Sequence, residues 1–218
     1  MSVSSLKILI IGDSSCGKTS ILNRFVLGKF EESYKATVAC EFALKILKID
    51  DISIRLNLWD IAGQDRLGGI SNLFCRDASG AIVLTDIEKK ETLDNAIQWK
   101  HQVDLHLESE GENNIPMVLA VNKYDLIEEE EKRGDQIKEE MTEEYLQDFA
   151  REHGFSGLFR TSAKTGKDVT ATFSQLVYEI LKQKAEQEEE ATTRDTKIRG
   201  TSLYASSSKR HNKKSCSC

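Results

Sequence analysis

At 218 residues, with 39% hydrophobic and 30% charged side chains, the chain is long enough for one substantial core and has the composition of a folded globular domain. Its longest apolar runs are only a few residues, which excludes a bilayer-spanning segment. The net charge of −6 is uneven, with eight Lys/Arg against five Asp/Glu in residues 184–218, so an acidic body with a basic end argues against nucleic-acid binding and for a membrane surface.

The first residues, Met-Ser-Val-Ser-Ser-Leu-Lys, lack the apolar stretch of a secretory signal, and serine at position 2 is wrong for N-myristoylation. Five cysteines, at 16, 40, 75, 216 and 218, make no spread disulfide framework and fit the reducing cytosol. His101, His106, His153 and His211 share no ligand spacing with them and read as surface residues rather than a zinc site.

In chain order, residues 6–11 form a continuous apolar run, a buried strand, and 18–27 the helix after it. Residues 52–59 alternate apolar and polar, and with 42–49 across Asp50-Asp51 they predict a hairpin. Apolar strands are expected at 80–85, 117–121 and 158–161, with helices over 92–109, 135–153 and 168–187 between and after them. Glu128-Glu-Glu-Glu131 reads as a solvated loop, and Trp99 as plain helix packing. Strands alternating with helices predict an α/β fold, a three-layer αβα arrangement around a mixed, mainly parallel six-stranded sheet. Binding then belongs beyond the carboxyl ends of the strands. Residues 1–187 are expected to fold as one domain, and the Glu-, Thr- and Ser-rich 188–218 to be a flexible tail.

Gly12-Asp-Ser-Ser-Cys-Gly-Lys18-Thr19 matches G-x-x-x-x-G-K-[ST], the phosphate-binding P-loop, between a strand and a helix. Loop amides and the helix N-terminus suit phosphate oxygens; Lys18 would reach the β- and γ-phosphates, and the Thr19 hydroxyl would ligate Mg²⁺. Asn122-Lys-Tyr-Asp125 ends the strand at 117–121, and Thr161-Ser-Ala-Lys164 ends the next. A carboxylate there can accept from guanine N1–H and its exocyclic amine, groups that adenine does not offer.

With those motifs the chain resembles a Ras-superfamily small GTPase from residue 6 to about 183 and at its terminus. Trp59-Asp-Ile-Ala-Gly-Gln64, Phe42 and the ending Ser215-Cys-Ser-Cys218 resemble the Rab branch. Within it, Phe42-Ala-Leu-Lys, Ile61 before Ala-Gly-Gln, and Glu152-His-Gly-Phe resemble the subgroup serving melanosomes and other lysosome-related organelles.

The resemblance implies GTP and GDP as ligands, contacted on the phosphate side by Ser15, Cys16, Gly17, Lys18, Thr19 and Ser20. On the base side it implies Asn122, Lys123 and Asp125 with Ser162, Ala163 and Lys164, the Ala163 amide touching the base and Phe30 stacking by the guanine. Tyr34 should lie over the phosphates, Thr37 and Thr19 should ligate Mg²⁺, and Asp60 should hold the metal through water. Thr37 and Gly63 should also sense the γ-phosphate, and Gln64 should orient the attacking water. Phe42, Trp59 and Phe74 resemble the aromatic triad that effectors read.

This sequence departs from the family pattern in places. Ser15 stands where glycine is usual and Cys16 where valine is, with Cys16 read as a buried, valine-like thiol. Ala39 replaces the glycine after Thr37-Val38, which puts the backbone freedom of switch I in doubt, and Leu67 and Cys75 replace aromatics of switch II. No arginine lies between Glu31 and Glu41, so no built-in arginine finger is visible and intrinsic hydrolysis should be slow. Ser215 breaks the C-a-a-X pattern, leaving a C-x-C ending that resembles Rabs geranylgeranylated on two cysteines, here Cys216 and Cys218. The implied partners are an exchange factor, a GTPase-activating protein, effectors and a prenyl-binding escort or GDP-dissociation inhibitor. The protein should be a monomer on the cytoplasmic face of an endosomal or lysosome-related membrane, cycling with the cytosol. A non-hydrolysing GTP-binding scaffold and a P-loop ATPase or kinase remain as alternatives.

Overall fold

The computed structural model describes residues 4–32, 37–49, 52–63, 72–111, 113–134 and 138–207. Six strands, β1 (Ser4–Gly12), β2 (Cys40–Ile49), β3 (Ile52–Ile61), β4 (Gly80–Asp86), β5 (Met117–Asn122) and β6 (Gly157–Arg160), form one sheet in the order β2-β3-β1-β4-β5-β6. The β2–β3 pair is antiparallel, with Phe42 opposite Trp59, and the remaining pairs are parallel. The expected mixed, mainly parallel sheet is therefore present.

Helices α1 (Lys18–Leu27), α2 (Asn72–Cys75), α3 (Lys90–Glu110), α4 (Tyr124–Arg133), α5 (Glu143–Glu152) and α6 (Val169–Ser207) connect and follow the strands. The strand period of two splits the core. Leu9, Ile11, Ala81, Val83, Leu119 and Val121 pack with Ala96, Trp99 and Val103 of α3 and Leu146 and Phe149 of α5. The intervening Ile8, Ile10, Ile82 and Leu84 are buried too, and Phe25 of α1 stacks on Phe173 of α6 with ring centroids 3.8 Å apart. Against Gly80, a side chain of any size would strike Ile180 Cδ1 at 2.8 Å, so α6 rests directly on β4. Among the described residues, no helix is long and apolar enough to cross a membrane.

Three expectations fail locally. Residues 128–131 are not loop but belong to α4, whose acidic run fills helical positions with strong helix formers. The helix expected over 135–153 is instead a 3₁₀ turn, Glu139–Met141, followed by α5, because the Thr142 hydroxyl accepts from Tyr145 N and starts a new helix there. The last helix does not stop near 187 but runs to Ser207; the Lys-, Gln-, Ala- and Glu-rich residues 182–191 have the propensity to extend it, and nothing in the Thr-, Ser- and Gly-containing residues 192–207 explains the remainder. Two units divide the chain, Met1–Ile180 and Leu181–Cys218, and the second is helical as far as Ser207.

Candidate nucleotide site

Beyond the carboxyl ends of β1, β3 and β5 lies a cleft of about 740 Å³. Its lining brings together thirteen residues singled out from the sequence: Ser15, Gly17, Lys18, Thr19, Ser20, Phe30, Thr37, Gly63, Asn122, Lys123, Asp125, Ala163 and Lys164. Ser14 of the phosphate loop lines it as well, with Asn23, Leu126 and the acidic Glu31, Glu32 and Glu41, to which no motif pointed. Tyr34, Gln64, Leu67, Cys216 and Cys218 lie outside the described residues.

The phosphate side is built by the turn between β1 and α1. Gly17 caps the helix at φ 92°, a left-handed backbone, and a Cβ there would collide with the Asn122 amide, so glycine is required twice over. No side chain caps α1 and no acid sits in its first turn, which leaves its N-terminal amides for an anion. The buried Lys18 ammonium donates to the carbonyl oxygens of Gly12 (2.9 Å) and Asp13 (2.8 Å).

At the floor of the cleft three oxygens converge. Thr19 Oγ1 donates to Asp60 Oδ2 (2.5 Å) and lies 2.9 Å from Thr37 Oγ1. Asp60 is fully buried, and its other oxygen, Oδ1, has no hydrogen-bond partner among the described residues. Burial pushes its carboxyl up to about 6, against the Thr19 hydrogen bond and the Lys18 charge, which both lower it. An unpartnered buried carboxylate oxygen beside two hydroxyls is a hard-oxygen donor set that fits Mg²⁺.

The base side is welded together by its own side chains. Asn122 Nδ2 donates to Cys16 O (2.8 Å), while Asn122 Oδ1 accepts from the Ala163 amide (3.2 Å), so one residue ties the phosphate loop to the 161–164 loop. Lys123, at φ 66°, reaches the buried Asp86 carboxylate (2.6 Å). Asp125 accepts from Ser162 Oγ (2.5 Å) and lies 3.8 Å from Lys164 Nζ. Arg24 of α1 secures the same loop from behind, donating to Ala163 O (2.7 Å) and Lys164 O (2.6 Å).

Three groups expected at the nucleotide are off the cleft wall or engaged within the protein. Cys16 and Ser162 do not line the cleft: the Cys16 thiol is buried behind the loop, as its valine-like reading requires, and Ser162 is buried as the donor to Asp125. The Ala163 amide, expected at the base, is donated to Asn122. Sequence reasoning missed Asp86 and Arg24, which touch only other protein groups and carry no motif of their own. Trp99 does pack in the core, but its indole N–H also donates to Asp13 Oδ1 (2.9 Å).

On the outer face of the sheet, Phe42 and Trp59 meet edge to face at 5.4 Å and Trp59 and Phe74 lie 6.3 Å apart. Phe42 is 55% exposed. Ala39 keeps a left-handed backbone, φ 60°, although it is not glycine, and Ser15 does the same at φ 65°. The doubt over switch I thus resolves into strain: the turn is made, with a side chain in it.

The sequence matches the Ras family over residues 7–182. It is 37% identical over 176 residues to Ras-related protein Rab-32 of Homo sapiens, covering 80% of this chain and 74% of that one. To Ras-related protein Rab-7L1 of Homo sapiens it is 35% identical over 181 residues, 83% of this chain and 84% of that one. Ras-related protein Rab-32A of Dictyostelium discoideum is 37% identical over 178 residues, 81% and 78% of the two chains. These relatives bear out the branch and subgroup that the motifs resemble: the chain belongs to the Ras family and is a Rab-like small GTPase.

Proposed function

We propose that this GTPase is a membrane-recruited molecular switch that gathers effectors on an intracellular membrane and so regulates vesicle traffic. The observation that carries the reading is the meeting of Thr37 with Thr19 and Asp60, which joins a segment from outside the phosphate loop to the floor of the cleft. The α1 amides, Gly17 and Lys18 hold the β- and γ-phosphates of GTP, with Ser15 and Ser20 beside them. Asp125 reads guanine N1–H and the exocyclic amine, Lys123 and Phe30 flank the base, and Asn122 keeps both loops in register. Thr19, Thr37 and Asp60 are the residues that would hold Mg²⁺, which supplies charge neutralisation on the phosphates. Gln64 orients the attacking water, Tyr34 covers the phosphates, and Gly63 contacts the γ-phosphate.

Cleavage removes what Thr37 and Gly63 bind, and both switch segments are released. Without an arginine between Glu31 and Glu41, intrinsic turnover is slow, and an activating protein adding the missing charge accelerates it by about 10³–10⁵. An exchange factor reloads GTP, and Phe42, Trp59 and Phe74 present the surface that effectors read. Residues 1–187 act as the nucleotide domain and 188–218 as the tether. Geranylgeranyl groups on Cys216 and Cys218 anchor it, since two chains hold stably where one is reversible, and an escort or GDP-dissociation inhibitor shields them in the cytosol. The motifs that resemble the subgroup of lysosome-related organelles point to a monomeric protein on an endosomal or lysosome-related membrane.

The test pairs single-turnover phosphate release from GTP with membrane fractionation of the chain with and without residues 216–218. Slow release that continues after the deletion, with loss of membrane binding, is expected. No release would leave the scaffold alternative, and a deleted chain still fully on membranes would sink the anchor.

A further inference from the structure

The carboxylate of Asp13 does not line the nucleotide cleft, although its residue belongs to the phosphate loop. It turns onto α3, where Oδ1 accepts from the Trp99 indole N–H (2.9 Å) and Oδ2 from the Asn95 side-chain amide (2.7 Å). Trp99 is 2% exposed, so its N–H needs an acceptor inside the core, and the nearly buried Asp13 carboxylate needs donors. Each satisfies the other across more than eighty residues of sequence.

The main chain of Asp13 is the other half of the arrangement. Its carbonyl accepts from Lys18 Nζ (2.8 Å). The peptide leading to Ser14 faces Gly63: a Cβ on Gly63 would collide with Ser14 N and reach Lys18 Nζ at 2.7 Å. Helix α3, the Lys18 ammonium and Gly63 therefore meet at one dipeptide, and wherever the Asp13 side chain is held decides where that dipeptide sits. We propose that Asn95 and Trp99 are positioning residues for nucleotide retention: through the Asp13 carboxylate they fix the carbonyl that aims Lys18. A change at α3 is then felt at the phosphates without any α3 side chain touching them. The inference rests on the nucleotide reading of the cleft.

The test is release of a fluorescent GDP analogue from the full chain at fixed Mg²⁺, chased with unlabelled GDP. Asn95→Asp sets carboxylate against carboxylate and is expected to speed release about tenfold, as the loss of a charge-assisted hydrogen bond does, whereas Asp13→Asn, where a flip of the Asn95 amide re-forms a neutral hydrogen bond, is expected to speed it less. The double variant Asp13→Asn/Asn95→Asp restores the pair with its direction reversed and leaves an acceptor for Trp99, so release is expected to return to within about twofold of wild type. A role in packing alone gives no such rescue. Asn95→Ala, which improves helix propensity and leaves Trp99 in place, covers the case in which a charge-changing variant fails to fold, and it too should release faster. Release unchanged in Asn95→Ala, or a double variant as fast as the faster single, overturns the proposal. Wild-type protein that retains no GDP analogue would instead overturn the nucleotide reading itself.

Discussion

On the base side of the cleft, Asn122, Lys123, Asp125 and Ser162 are held by one another, by Asp86 and by the neighbouring loops, and Arg24 buttresses them from α1. On the switch side, Val38 is 87% exposed, Ala39 is held in a left-handed backbone, and the buried Asp60 Oδ1 has no partner among the described residues. One half is organised before any ligand arrives; the other holds strain and an unsatisfied charge that a ligand can relieve. Binding energy should therefore come from the first half and switching from the second, because a preorganised site spends little on ordering and a strained segment changes state cheaply.

The largest effect expected is at the base. Asp125→Asn replaces a carboxylate that, on the proposed reading, accepts two hydrogen bonds from guanine with an amide that offers a donor, a loss of about 10²–10⁴ in preference for GTP over xanthosine triphosphate. Competition between the two nucleotides measures it; an unchanged preference would remove Asp125 as the base reader and break the contrast at its strongest point.

Thr19→Asn strikes where the halves meet. The hydroxyl that donates to Asp60 and faces Thr37 disappears, and a carboxamide does not replace it in an oxygen cluster of that size. GTP affinity measured across a Mg²⁺ titration should fall about a hundredfold and lose its metal dependence, as the loss of a charge-assisted hydrogen bond together with a metal ligand implies. Normal Mg²⁺-dependent affinity would show that the three oxygens do not act together.

How these features announced themselves in the sequence differs in the same way. The phosphate loop, Asn122-Lys-Tyr-Asp125 and the strands were legible because backbone chemistry dictates glycine, lysine and apolar runs at fixed spacing. Helix α4 was not, since Tyr-Asp-Leu-Ile-Glu-Glu-Glu-Glu has too few apolar positions to show a helical period, and only its propensity speaks. The break at Thr142 carried a signal, a threonine before two glutamates, that fits an N-cap. Asp13 with Trp99, Lys123 with Asp86 and Arg24 with Ala163 were invisible, because each partner is specified only by the folded geometry.

Two cysteines report on the two halves directly. Burial pushes the Cys16 thiol from 9.0 up to about 11, whereas Cys40, half-exposed at the head of β2, is also raised by burial but is open to solvent. Iodoacetamide at neutral pH should modify Cys40 at least about tenfold faster than Cys16, read by peptide mass mapping, since the thiolate is the nucleophile and access favours Cys40. Because the folded pKa of Cys16 lies above its unfolded value, its contribution to stability is intact below pH 9 and is lost as the pH rises from 9 toward 11, about 2–3 kcal/mol in all. Equal labelling of the two thiols would mean the loop opens as readily as the switch.

The smallest effect separates the halves most sharply. Ala39 and Ser15 both occupy left-handed backbone, at φ 60° and φ 65°, where a Cβ costs about 1 kcal/mol that glycine would not. Ser15 belongs to the phosphate loop, which the Asn122 and Asp13 contacts hold whichever nucleotide is bound. Its strain is then present in every folded state, and Ser15→Gly should raise the melting temperature by about 2–4 °C with GDP and with a non-hydrolysable GTP analogue alike. Ala39 is different. Its carbonyl accepts from Ala62 N (3.0 Å), and two residues before it Thr37 faces Thr19, so its left-handed turn belongs to the arrangement in which switch I reaches the floor of the cleft. If GDP releases that arrangement the strain goes with it, and Ala39→Gly should raise the melting temperature by about 2–4 °C with the GTP analogue and by much less with GDP. Differential scanning fluorimetry of both variants in both nucleotides decides the point. An Ala39→Gly gain that is the same in the two nucleotides would mean that switch I keeps its turn throughout the cycle, and the release of Thr37 would no longer explain how this GTPase changes state.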